Sequence, residues 1–160
     1  MKDQVVYADD DLSAIIPIYT SDNVFYSADA ELFFLTDKEV ENRFIINHYF
    51  DTFTPEYVLS NQRSIFGGYY INQFGHTRSE DFLKKLLHLP YPPNQLLPQT
   101  VINSVISDAQ KIQQNNLTTE IKTYKIDYLI WDSVHDPKWL VPKTYKLLYS
   151  SDGIFIYKVI

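Results

Sequence analysis

Apolar residues recur most regularly between Val101 and Ile112. Val101, Ile102, Val105, Ile106, Ala109 and Ile112 follow the i, i+3, i+4 spacing of one helix face, and Asn103, Asp108, Lys111 and Gln113 fill the other. Pro98 is suited to open that helix. Other elements follow from similar local rules. Gln4–Ala8 is a short apolar run that ends in Asp9-Asp10-Asp11, which predicts a buried strand turning into a helix. Asp10 or Asp11 can cap a short helix over Leu12–Ile16, which Pro17 is expected to cut short. Asn23–Ser27 reads as a second strand, so strand, helix and strand suggest a parallel βαβ unit.

Thr36 and Glu39 have capping-box spacing. The helix behind them turns Val40, Phe44 and Ile45 inward, leaves Glu41, Asn42 and Arg43 largely outside, and is expected to reach about Phe50. Thr54-Pro55 opens another helix, and Ser79 starts one through Phe82, Leu83, Leu86 and Leu87 that ends at Pro90. Ile65–Tyr70 reads as a tight hairpin or aromatic loop. Asp127–Asp132 is a mostly apolar strand. Tyr145–Tyr149 and Ile154–Val159 flank Asp152-Gly153, the clearest hairpin signal in the chain. The expected fold is one α/β domain over residues 1–160. Its small, mostly parallel, Rossmann-like sheet of three strands is flanked by helices, and an antiparallel C-terminal hairpin extends it.

Composition narrows the function classes. The 160 residues are 45% hydrophobic and include 13 Tyr and 10 Phe, enough for a substantial core. The net charge of −6 with only 14 Lys and Arg supplies no basic patch, which argues against nucleic acid as a partner. With no Cys there is no disulfide, thiolate zinc site or Cys nucleophile. His48, His76, His88 and His135 form none of the spaced clusters that bind zinc, and neither a phosphate loop nor a serine-hydrolase elbow is present. No cofactor or metal is expected. Asn116-Leu-Thr118 fits the N-glycosylation acceptor pattern.

The candidate chemistry lies at strand ends. Asp9 and Asp10 follow the first strand, and Asp132 and His135 follow the later one, so a parallel arrangement delivers all four to the carboxyl edge where open α/β sheets bind ligands. Carboxylates there suit sugar hydroxyls or a hard cation, and Arg43 could clamp a carboxylate or phosphate. The competing reading is structural: Asp after a strand is a turn former and helix cap.

Three segments together carry a resemblance. Val5–Ser27 is similar to a strand, a Leu-Ser-x-Ile-Pro-x-Tyr-Thr helix and a second strand; Glu39–Phe44 resembles the following helix; Tyr124–Ile130 with Ile154–Val159 resembles a closing block. In that order they resemble the C-terminal extramembrane domains of bacterial polytopic membrane proteins related to GT-C glycosyltransferases. The segment from about 55 to 125 is mostly unmatched. The family's catalytic carboxylates lie among membrane helices, so the resemblance implies no catalytic residue here. It implies a non-catalytic accessory domain on the extracytoplasmic face, a fragment of a longer membrane protein. Its partners would be the parent membrane domain and a glycan or lipid-linked sugar. The first strand starts almost at once and the last ends the chain, as expected of a piece cut from a longer protein. Two rival readings are a small hydrolase or ligand-binding protein using the acidic edge, and a protein-interaction module using the aromatic stretch 65–74.

Overall fold

The computed structural model describes residues 4–27, 35–66, 83–89, 97–134, 137 and 141–159. The chain enters β1 (Val5–Tyr7), passes through α1 (Asp10–Tyr19) and returns as β2 (Asn23–Val24). The helices α2 (Asp37–Asn47), α3 (Pro55–Ser60), α4 (Gln99–Gln114) and α5 (Leu117–Lys122) follow. β3 (Tyr128–Asp132), β4 (Lys146–Ser151) and β5 (Ile154–Lys158) complete one sheet in the order β2-β1-β3-β5-β4.

That sheet corrects the expected mostly parallel, Rossmann-like architecture. β1 pairs parallel with β2 and β3, whereas β5 pairs antiparallel with both β3 and β4. Each parallel ladder has two paired positions and each antiparallel ladder has five. The sheet is mixed, and antiparallel pairing carries most of it. The parallel part stays short because Asp9 ends β1 by capping α1: its side chain accepts from Leu12 N at 2.8 Å. The hairpin is not an appendage: β5 pairs over five positions with β3 as well as with β4. Asp152 and Gly153 have φ of 48° and 87°, the paired positive values of a type I′ turn.

Local signals fixed most helix starts. Thr36 accepts from Glu39 N at 3.3 Å and Thr54 from Tyr57 N at 3.2 Å. α4 buries Ile102, Val105 and Ala109, as its periodicity requires. Asn116 accepts from Thr118 N at 2.8 Å, so the acceptor-like triplet serves as the cap of α5. Helix ends differ more. α1 continues through Pro17 to Tyr19 instead of stopping at Ile16. Pro17 is on the exposed side, and the last turn is closed by Thr20, whose N–H and hydroxyl both donate to Ile16 O. α2 stops at Asn47, short of Phe50. Glu41 is buried rather than outside, because Lys38 pairs with it at 2.7 Å and also bridges to Asp108 on α4.

The core joins Tyr7 and Leu129 from the sheet to Phe44, Ile45 and Ile46 of α2, Val58 of α3, Val105 of α4 and Ile121 of α5. The Tyr7 hydroxyl donates to Ile46 O at 2.8 Å and locks β1 to α2. α1 stands outside this cluster; Ser13 is its one fully buried residue, and the Ser13 hydroxyl donates to Ala8 O. Ile65 and Phe66 are buried at the end of a short helical stretch; the rest of the 65–74 segment lies outside the described residues. So do Phe82 and the expected start of the Ser79 helix, while 83–86 is helical with Leu83 and Leu86 exposed.

Candidate functional site

The carboxyl end of β1 meets the end of α2 and the start of α3. Asp10, the first residue of α1, accepts from Asn47 Nδ2 at 2.8 Å through Oδ1. Its Oδ2 lies 3.3 Å from His48 Nε2. His48 caps the C-terminus of α2, and its Nδ1 lies 3.0 Å from Asp51 Oδ2. The same Asp51 oxygen accepts from the Tyr57 hydroxyl on α3 at 2.6 Å. The start of α1, the end of α2, the loop after it and α3 are thus linked around one imidazole.

The electrostatics follow from that placement. Burial alone would lower the His48 pKa, but the bonds and attraction to Asp10 and Asp51 outweigh it and raise the pKa from 6.5 to about 9. Asp10 lies 3.3 Å from Nε2 and Asp51 3.0 Å from Nδ1, so each ring nitrogen faces a carboxylate. The ring also lies 4.3 Å from the Phe44 ring centroid, which restricts its orientation. His48 is an imidazolium at neutral pH. Its base form is therefore scarce near neutral pH, and both nitrogens face carboxylates. Tyr57 is pushed to higher pKa by burial first and by Asp51 second, so its proton stays in place.

The residues singled out from sequence divide among different tasks. Asp9 caps α1. Asp10 joins the His48 network. The register Val6↔Tyr128 and Tyr7↔Leu129 carries Asp132 to the same carboxyl edge, where its Oδ1 accepts from Val134 N at 2.8 Å and forms a turn. His135 lies outside the described residues. Arg43 is not open as a clamp in the expected way. Its Nε donates to Glu39 at 2.8 Å, its Nη1 donates to Phe25 O at 2.9 Å, and its guanidinium sits 5.1 Å and 5.3 Å from the Phe25 and Tyr124 ring centroids. It braces α2 against the end of β2.

Asn47, His48, Asp51 and Tyr57 are the members that sequence reasoning missed. The expected helix through Phe50 keeps Asn47 and His48 inside it, whereas α2 ends at Asn47 with His48 as its C-cap. A polar Asn-His pair followed three residues later by Asp, just ahead of the Thr54-Pro55 helix start, was the available signal. Among the described residues no group of three or more His, Asp or Glu converges on a metal position. Comparison with protein-family models, curated proteins and solved structures finds no match.

Proposed function

We propose that this chain is a non-catalytic, extracytoplasmic accessory domain of a membrane glycosyltransferase-like protein, assisting acceptor binding or assembly. The observation that carries the non-catalytic part is the His48 arrangement. The strand-end edge holds an imidazolium clamped between Asp10 and Asp51, where a hydrolase at neutral pH needs a free base. Asp9 and Asp132 each accept a backbone N–H there, which suits a rigid binding edge better than proton transfer. The membrane context rests on the resemblance of Val5–Ser27, Glu39–Phe44 and the closing block. No helix among the described residues is long and apolar enough to cross a bilayer, so in this reading the parent protein supplies the anchor.

The test is to delete this domain from the parent protein and follow sugar transfer to its acceptor. The expected result is a raised KM for acceptor with kcat largely kept. A parent reading frame without apolar helices, or glycoside hydrolysis by the isolated chain that His48→Gln abolishes, overturns the proposal.

A further inference from the structure

The free edge of the sheet is a second feature of the molecule, and it is independent of the proposed accessory role. Among the described residues β4 is the terminal strand, bonded on one side to β5. All six of its residues are exposed, and Leu147, Leu148 and Tyr149 are 48%, 47% and 55% accessible. An edge of this kind leaves backbone N–H and C=O groups able to template another strand. Proline or several charges along the strand would blunt it, but β4 has no proline and its one charge is Lys146 at the start. A bulge between Leu147 and Tyr149 adds local twist, itself one way of blunting an edge, but Tyr149, Ser150 and Ser151 stay in continuous register with β5.

The charges at the ends of β4 select the partner. Lys146 is at its first position, and Asp152 follows its last. Only an antiparallel mate brings opposite ends together, and a second copy of this strand presents the same two charges in reverse order. A two-fold axis at Tyr149 places Lys146 of each copy alongside Asp152 of the other, three residues on either side. Tyr149 then meets its own counterpart, and Leu148 faces Ser150. A parallel mate would instead align Lys146 with Lys146. We infer that β4 is a homodimerisation edge, where two copies of this chain join by antiparallel β4 pairing into one continuous sheet. The interface is isologous, as a two-fold contact requires. A single strand on each side buries little area, so the dimer is weak and concentration-dependent.

Sedimentation of the chain over a rising concentration series, with amide hydrogen exchange at both extremes, tests this. The expected result is a monomer–dimer equilibrium in which β4 amides not bonded to β5 gain protection as dimer forms. Lys146→Glu sets two acidic side chains together at each end and should weaken the dimer by roughly tenfold or more. Asp152→Asn keeps a residue tolerant of positive φ and should weaken it less. Because both sites are exposed, each variant should melt close to wild type, which separates lost pairing from lost folding. A monomer at every concentration overturns the inference. So does a dimer whose β4 amides stay unprotected, or one that Lys146→Glu leaves intact.

Discussion

Tyr57 and His48 share one carboxylate oxygen: Asp51 Oδ2 accepts from the Tyr57 hydroxyl at 2.6 Å and lies 3.0 Å from His48 Nδ1. The loop after α2 is thereby fastened to α3, and Asp10 fastens the same imidazole to the end of β1. Chain segments distant in sequence depend on one proton-bearing ring, so stability must depend on pH.

The sign follows from the direction of the shift. The folded pKa of His48, about 9, is above its ordinary value of 6.5. The stabilisation is therefore fully present below about pH 6.5 and is lost as pH rises through about 9. A rise of this size corresponds to on the order of 3 kcal/mol. Thermal melts from pH 6 to pH 10 should show a falling Tm for the wild-type chain. His48→Gln should melt lower at pH 6 and follow a flatter profile across that range. Parallel profiles for the two proteins would remove His48 as the source.

Local chemistry was legible in the sequence wherever one turn or one cap decided the outcome. Thr36 with Glu39, Thr54 with Pro55, and Asp152 with Gly153 each set their own backbone, and the α4 face needs only its periodicity. What could not be read depends on partners far along the chain. The burial of Glu41 requires Lys38 to be held in turn by Asp108 from another helix. The network of Asp10, His48, Asp51 and Tyr57 exists only once α2 ends at Asn47, and tertiary contacts set that end. The balance of the sheet was misjudged because β1 and β2 yield their residues to caps and turns, which leaves the two longer antiparallel ladders of β5 to carry it.

Val105 tests the core directly. It is 1% exposed on the inner face of α4, within the main cluster. Val105→Asp would bury an unpaired carboxylate there and should cost on the order of 3 kcal/mol or more. Val105→Ala should cost less, since it leaves only a small cavity. Urea unfolding of the two variants measures both; an Asp variant as stable as the Ala variant would mean that the site admits water.

Gly153 tests the hairpin. Its φ of 87° is in the left-handed region, and a Cβ there would come within 2.9 Å of Val134 Cγ2. The same residue's carbonyl accepts from Ser133 N at 2.9 Å and from the Ser133 hydroxyl at 2.8 Å, so the turn cannot move away freely. Gly153→Ala should cost about 1–3 kcal/mol from backbone strain alone, whereas Asp152→Asn should be near neutral because Asn tolerates positive φ. Equal denaturation midpoints for both variants would contradict this account of the turn.

Asp9 separates capping from recognition at the strand-end edge. Its side chain is 2.8 Å from Leu12 N, the cap bond at the start of α1. Asp9→Ala removes the acceptor and should cost about 1 kcal/mol. Asp9→Asn keeps an oxygen in place and removes only the charge, so it should lose a few tenths of a kcal/mol through the helix dipole. Binding supplies the other coordinate. Should acceptor glycan contact this edge through Asp9, Asp9→Asn would weaken binding in an NMR titration while the melt barely moves. With Asp9 serving only α1, stability falls in the order wild type, Asn, Ala, and acceptor affinity stays level across all three. The 2.8 Å bond favours the second pattern, and it would leave Asp10 and Asp132 as the carboxylates of that edge to be tested by the same titration.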